Sequence, residues 1–335
     1  MKSSSIIKGA FFYFRNMNWI FEKQLSFEEK ALKVFHLQAN NCEPYKRYLN
    51  LLKTDINSIT SIQDIPFLPI EFFKSHSIIS NDNPIEKIFT SSGTTGQDVS
   101  QHHITDLSIY TESFIRGFEH FYTTAEDYRI LALLPSYLER EGSSLVYMCN
   151  RLIENSQHQE SGFYLHNLED LAKILSKKSE KKTLLIGVSY ALLDLAEQFP
   201  QKLENVIVME TGGMKGQRKE MIKSELHDVL KKAFHLNTIH SEYGMTELLS
   251  QAYSKSNGIF ETPPWMKVII RDTQDPFTIL NHQQTGGINI IDLANINSCS
   301  FIATQDLGKT IDECSFELKG RFEISDIRGC NLLIK

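Results

Sequence analysis

A run of small hydroxyl residues and glycines at positions 89–96, Phe-Thr-Ser-Ser-Gly-Thr-Thr-Gly, has the composition of a loop that wraps a phosphate group. Glycine lets the backbone approach a ligand closely, and the N–H groups and hydroxyls supply donors for an anion. Residues 84–89 are expected to form the strand that leads into this loop. The loop is not a Walker A site, because Gln97 and Asp98 follow it instead of lysine and a hydroxyl residue. Taken alone, it is also compatible with a flexible Ser/Gly loop.

A second group of candidates follows two predicted strands. Gly212 and Gly213 come directly after the apolar strand at 206–209, where a backbone without side chains could lie against a flat ring. A tight turn into the next helix explains them equally well. In open α/β sheets, ligands bind outside the carboxyl ends of the strands, so this position is suited to ligand binding.

Three further candidates lie in the motif Tyr-Gly-Met-Thr-Glu, which follows the next predicted strand. The ring of Tyr243 could stack on a base, the hydroxyl of Thr246 could reach a phosphate oxygen, and the Glu247 carboxylate could hold Mg²⁺. Asp306, after a later strand, is a natural acceptor for two ribose hydroxyls, and Arg321 adds a cation. Each of these residues also has an ordinary structural explanation: Tyr243 could pack in the core, Glu247 could start a helix, and Asp306 could belong to a turn.

The composition excludes several classes of protein. The chain has 335 residues, 41% of them hydrophobic, with a net charge of −6 and no block of like charges, so we predict no nucleic-acid surface. Five widely spaced cysteines without a Cys-x-x-Cys pair argue against a disulfide framework or a zinc site, and favour a reducing compartment. We find no signal peptide and no apolar stretch long enough to span a bilayer, and we expect a cytoplasmic location.

Continuous apolar strands alternate with amphipathic helices from about residue 106 to 240, which predicts a mostly parallel sheet covered on both faces. Shorter strands are expected after residue 265, so the predicted fold class is α/β with a β-rich C-terminal part. A helix is predicted over 217–234 and a short strand over 236–240. We expect two regions, a helical preface over residues 1–80, packed on a core over residues 81–335.

The order of these motifs resembles that of the adenylate-forming enzymes, over roughly residues 89–322. Within that superfamily the chain is most similar to the LuxE-type acyl-protein synthetases, and more distantly to phenylacetate–CoA ligases. The stretches that carry the LuxE-type resemblance are residues 67–74, 90–96, 134–140, 210–216, 240–247 and 326–330.

The resemblance implies an enzyme that uses ATP and Mg²⁺ to convert a carboxylic acid to an acyl adenylate and then passes the acyl group to a thiol. Each candidate residue takes a role from it. The phosphates would be held by Ser91, Ser92, Gly93, Thr94, Thr95, Gly96 and Thr246, the adenine by Gly212, Gly213 and Tyr243, the ribose by Asp306 with Arg321, and Mg²⁺ by Glu247. Tyr137, Ser143 and Tyr190 are candidates for the acyl pocket.

Two features depart from the superfamily pattern or refine it. The small C-terminal domain that carries the adenylation lysine would be absent, because the chain ends soon after Arg321; Lys215 is the candidate substitute, with a plain helix-start lysine as the alternative.

In LuxE-type proteins a cysteine near the C-terminus accepts the acyl group, and Cys330 matches it. An inert cysteine on an apolar terminal strand is the competing interpretation.

The predicted function is therefore an ATP-dependent acyl-protein synthetase that loads Cys330 and delivers the acyl group to a reductase or transferase partner. An acyl- or aryl-CoA ligase and a non-catalytic nucleotide-binding subunit are the alternatives. Both fatty acyl and aryl acids are compatible with the sequence.

Overall fold

The computed structural model describes residues 17–91, 99–134, 142–165, 167–213, 218, 219 and 221–322. Helix α1 (Phe27–Asn41) begins at a capping box, in which Ser26 and Glu29 exchange side-chain and backbone hydrogen bonds. Helix α2 (Glu43–Leu51) follows directly. Prolines at 66 and 69 disfavour helix, and here the chain extends into the two-residue strand β1 (Leu68–Pro69) before the short helix α3 (Phe72–Ser75).

A separate two-stranded antiparallel sheet follows, made of β2 (Lys87–Thr90) and β3 (Gln101–Ile104). The predicted strand at 84–89 therefore begins later than expected and, within the described part of the chain, pairs only with β3. The hydroxyl-rich loop connects these two strands. Two hydrogen bonds join the ends of this loop: Ser91 N donates to Ser100 O at 3.0 Å, and Ser100 N donates to Ser91 Oγ at 2.9 Å.

Five parallel strands and five helices form the next part, as the alternating pattern predicted. In chain order these elements are α4 (Leu107–Phe121), β4 (Tyr128–Leu133), α5 (Ser144–Ser156), β5 (Gly162–Phe163), α6 (Leu168–Ser176), β6 (Lys182–Val188), α7 (Ser189–Gln198), β7 (Val206–Thr211), α8 (Lys223–Phe234) and β8 (His240–Tyr243). Every residue of β4 is buried, as expected for a strand with helices on both faces.

Six further strands continue the same sheet in antiparallel fashion. They are β9 (Ala252–Ser254), β10 (Ile259–Glu261), β11 (Met266–Arg271), β12 (Gly286–Asp292), β13 (Phe301–Thr310) and β14 (Ser315–Arg321). The order across the sheet is β11-β12-β13-β14-β10-β9-β8-β7-β6-β4-β5, and β1 pairs in parallel with β13 at Leu68–Ile302 and Pro69–Ala303. The predicted α/β class with a β-rich C-terminal part is confirmed.

Two predicted elements are wrong in their bounds. The helix expected from residue 217 begins at Lys223, because Ile222 has an extended backbone. The strand expected over 236–240 begins only at His240. Helix α8 ends at Phe234, its capping residue His235 takes a left-handed conformation, and the chain must return to the sheet before His240 can pair with Met209. None of the described helices has the length and apolar character needed to cross a membrane.

Candidate functional site

The carboxyl ends of β7 and β8 open into a cleft of about 1580 Å³. The structure brings together, along its walls, every residue predicted to hold ATP or Mg²⁺ that it describes. These are Ser91, Gly212, Gly213, Tyr243, Thr246, Glu247, Asp306 and Arg321. They come from segments more than 200 positions apart in the sequence, so their meeting is a property of the fold rather than of any one motif.

Asp306 lies at the centre of a hydrogen-bonded chain within this cleft. Tyr243 Oη donates to Asp306 Oδ2 at 2.7 Å, and Arg321 Nε donates to Asp306 Oδ1 at 2.8 Å. The sheet sets this geometry, because Asp306 on β13 is the register partner of Arg321 on β14. The Asp306 carboxylate raises the pKa of Arg321. Each carboxylate oxygen has a second lone pair, so Asp306 retains acceptor capacity for a ligand.

The ring of Tyr243 is held by two aromatic neighbours. Its centroid lies 5.8 Å from that of Phe260 and 5.4 Å from that of Phe316, both in edge-on arrangements. The residue is only 7% exposed, and burial raises the pKa of its hydroxyl well above the usual value, so it acts as a hydrogen-bond donor.

The loop that carries Thr246 and Glu247 is fixed by buried polar contacts from other elements. His102 Nδ1 lies 2.9 Å from Thr246 O, and Asn295 Nδ2 donates to Glu247 O at 2.7 Å. Further along, Asp292 Oδ2 accepts from the backbone N–H groups of residues 249 and 250 at 2.8 and 2.9 Å. Two separate segments, the strand with His102 and the stretch from Asp292 to Asn295, therefore hold this loop, and its two candidate side chains occupy defined positions.

His102 has a structural role in this arrangement. Its second ring nitrogen, Nε2, lies 3.0 Å from Ser298 Oγ, and burial lowers its pKa to about 4, so the ring is neutral. Both nitrogens are thus engaged with protein atoms. Among the described residues no group of three or more acidic, histidine or cysteine side chains is arranged to hold a metal ion by itself.

Glu247 is a buried acidic residue of the cleft wall. It is 6% exposed, and burial raises its pKa, while Ser100, Arg321 and Lys74 partly offset this by favouring the charged form. One carboxylate with a neighbouring hydroxyl fits Mg²⁺, which typically takes one or two protein carboxylates and completes its shell with substrate phosphates and water.

Gly212 and Gly213 form an open edge of the cleft. Gly212 has a φ of +66°, which glycine adopts without strain, and its carbonyl accepts a hydrogen bond from Ser189 Oγ at 3.1 Å. Among the described residues, a Cβ at Gly213 would meet no atom within 4 Å. This is compatible with a flat ring lying against it.

Several predicted residues lie outside the described part of the chain: Ser92, Gly93, Thr94, Thr95, Gly96, Tyr137, Lys215 and Cys330. Of the two remaining acyl-pocket candidates, Ser143 lines the cleft, whereas Tyr190 is buried in α7.

Three cleft residues were missed by the sequence analysis: Lys74, Glu242 and Gln251. Lys74 was overlooked because the region before residue 80 was expected only to pack on the core. Glu242 could have been found from the sequence, because a charged residue within a predicted buried strand is costly to bury and therefore often has a functional role. Nothing in the local sequence distinguishes Gln251.

The fold and cleft have the architecture of adenylate-forming enzymes. The structure is similar to ATP-bound MatB from Rhodopseudomonas palustris (TM-score 0.56, 14% identity, covering 72% of this chain and 49% of MatB). It is also similar to 2-hydroxyisobutyryl-CoA ligase in complex with 2-HIB-AMP and CoA (TM-score 0.64, 10% identity, 88% and 68% covered). The chain thus spans about half the length of MatB. At such low identity these similarities establish the fold.

Comparison of sequences gives two matches, each to part of the chain. Residues 1–130 match the family described as acyl-protein synthetase, LuxE. A stretch of 67 residues is 43% identical to a long-chain-fatty-acid–luciferin-component ligase from Photorhabdus luminescens, and covers 20% of this chain and 57% of that relative. The resemblance to LuxE-type acyl-protein synthetases is therefore confirmed.

Proposed function

We propose that the protein is an ATP-dependent acyl-protein synthetase. The observation that carries this proposal is the convergence of Asp306, Arg321, Tyr243, Thr246 and Glu247 on a single cleft. The LuxE-type match supports an acid ligase, and the similar proteins include a fatty-acid ligase and an ATP-bound enzyme.

In the proposed first step an oxygen of the organic acid attacks the α-phosphorus of ATP. A new P–O bond forms, the bond to the β-phosphate breaks, and pyrophosphate leaves with its electron pair. Asp306 accepts hydrogen bonds from the ribose hydroxyls, Tyr243 and the Gly212–Gly213 edge border the adenine, and Thr246 donates to a phosphate oxygen. Mg²⁺ held by Glu247 would neutralise phosphate charge. Because two anions must meet, the contribution of these residues is positioning and charge stabilisation.

A mobile cation is needed near the reacting groups, and two lysines are candidates. Lys215 follows the glycine pair in sequence. Lys74 lines the cleft from α3, and its charge acts on Glu247. We assign Lys74 the role of reaching the phosphates, with Lys215 as the competing assignment.

In the proposed second step a cysteine thiolate attacks the acyl carbon, and AMP leaves with the electrons of the former C–O bond. Cys330 is the proposed acceptor, as in the LuxE-type pattern. A thioester on the protein then serves as the donor to a reductase or transferase partner.

The test is an ATP–pyrophosphate exchange assay over acids of graded length, followed by labelling with a radioactive acid. We expect acid-dependent exchange and a labelled protein band that hydroxylamine removes. Cys330→Ser should abolish the label, whereas Cys314→Ser, which replaces an exposed cysteine, should retain it. Equal labelling of the two variants would disprove the covalent step.

Similarity to a structure that contains CoA makes an acyl-CoA ligase the second candidate. It predicts free acyl-CoA when CoA is added, with exchange intact. ATP binding without exchange for any acid would instead indicate a non-catalytic subunit.

A further inference from the structure

A buried polar group lies on the face of β8 opposite to the Tyr243–Asp306 contact. Successive side chains of a strand point to opposite faces, so Glu242 points away from Tyr243. Glu242 is 7% exposed and lines the cleft together with Tyr110. Thr211 Oγ1 donates a hydrogen bond to its carboxyl group.

Gln251 is next to Glu242, and its hydrogen-bonding capacity is not fully used. The side chain is 5% exposed and lines the same cleft, and its Oε1 atom has no donor among the described residues. A Cβ on Gly244 would collide with the Glu242 carboxyl group and touch Gln251 Cγ at 3.4 Å, so the two side chains flank Gly244. A buried acceptor without a donor is costly, which points to a donor supplied from outside the protein.

The same cleft is also lined by apolar side chains. Leu145 and Met148 of α5 line it, and the hydroxyl of Tyr110 is already used, because it donates to Ser144 O at 3.0 Å. An apolar wall with a few unsatisfied polar groups is the usual composition of a small-molecule subsite.

Burial and, to a smaller extent, the nearby Glu210 carboxylate raise the pKa of Glu242 to about 7, while the Thr211 hydroxyl and Lys223 oppose the rise. Lys223 is itself paired with Glu210. Near neutral pH both forms of the Glu242 carboxyl group are therefore available, and it is able to donate or accept a hydrogen bond.

We propose that Glu242 and Gln251 bind a hydroxyl or amino substituent on the organic acid. The substrate is then a substituted carboxylic acid rather than a plain hydrocarbon acid. This inference rests on the proposed function, since it places the acid in the cleft. A site built to bind a substrate hydroxyl or amine rejects the analogue that lacks it, because the buried groups then remain unpaired.

The test compares matched pairs of acids of equal length, with and without a hydroxyl or an amino group, in the pyrophosphate-exchange assay. For wild type we expect kcat/KM to favour the substituted acid by about 100-fold or more. Gln251→Met keeps the side-chain length but removes the amide, and should lower that preference at least tenfold. Leu51→Ser, on an exposed position far from the cleft, is the control and should keep it.

Glu242→Gln separates the two substituents. A glutamine keeps hydrogen bonds to a hydroxyl but loses the charge that stabilises an ammonium group. The preference for the amino-substituted acid over the plain acid should therefore fall, while the preference for the hydroxyl-substituted acid should be retained. Titration calorimetry of the same acids, without exchange, measures the subsite directly. Weaker binding of the substituted acid by Gln251→Met than by wild type is expected.

The inference is overturned if wild type uses plain and substituted acids equally, or if Gln251→Met leaves the preference unchanged. If the proposed function itself is wrong, no acid supports exchange with wild type. The calorimetric comparison of wild type with Gln251→Met then tests, without any exchange activity, whether the subsite binds the substituted acid.

Discussion

The two faces of β8 are built differently. On one face, Tyr243 and Arg321 both donate to Asp306, which gives a frame that is internally bonded before any ligand arrives. On the other face, Glu242 has the Thr211 hydroxyl, but the neighbouring Gln251 oxygen has no donor among the described residues. The face with Tyr243 and Asp306 is suited to a ligand that is the same in every reaction, which is ATP in our proposal. The face with Glu242 and Gln251 is suited to a polar substituent of the organic acid.

The largest effect is expected on the face with Tyr243 and Asp306. Asp306→Ala removes the acceptor shared by Tyr243 and Arg321 and leaves a buried hydroxyl unpaired, which should cost about 1–3 kcal/mol of stability. ATP affinity, measured by titration calorimetry, should fall at least 100-fold, since the ribose loses its charged acceptor. Asp306→Asn keeps the shape and should lose less. If Asp306→Ala binds ATP as tightly as wild type, the proposal that ATP binds on this face of β8 is wrong.

An intermediate effect is expected from the cation at the cleft wall. Lys74→Ala should lower the exchange rate by about 10² to 10³, which is typical when one charge-stabilising group is removed. ATP affinity should change much less. Lys33→Ala, on the exposed side of α1, is the matched control. If Lys215→Ala produces the loss and Lys74→Ala does not, the assignment of Lys74 is wrong.

The smallest effect concerns stability on the face with Glu242 and Gln251. Because the pKa of Glu242 is raised from 4.5 to about 7, the folded protein binds this proton more tightly than the unfolded chain does. The resulting stabilisation is complete below pH 4.5 and is lost as the pH rises through 7. Relative to Glu242→Gln, which cannot ionise, wild type should lose roughly 2–3 kcal/mol between pH 4.5 and 8.

Urea denaturation of both proteins at several pH values measures this difference. Other shifted groups, such as Asp292, are common to both and cancel. A difference that does not vary with pH would mean that Glu242 stays in one protonation state throughout.

Much of this architecture was predictable from sequence. The capping box at Ser26, the continuous apolar strands and the strand-end motifs are local signals, and they indicated the α/β class and several residues that line the cleft. Lys74 was missed because it reaches the cleft only through the pairing of β1 with β13, a long-range contact that no local pattern encodes. Gln251 was missed for a related reason, since it lies in the segment after β8 and its proximity to Glu242 depends on the path of the chain around Gly244.

The pairing of β1 with β13 also has a kinetic consequence. Leu68 is made long before its partner Ile302. Contacts between distant parts of a chain form slowly, because a long loop must close first. The segment around Leu68 must therefore wait, with its apolar side chains exposed, until Ile302 has emerged from the ribosome. Truncated or stalled chains would retain that exposed surface and be prone to aggregate or to be captured by chaperones.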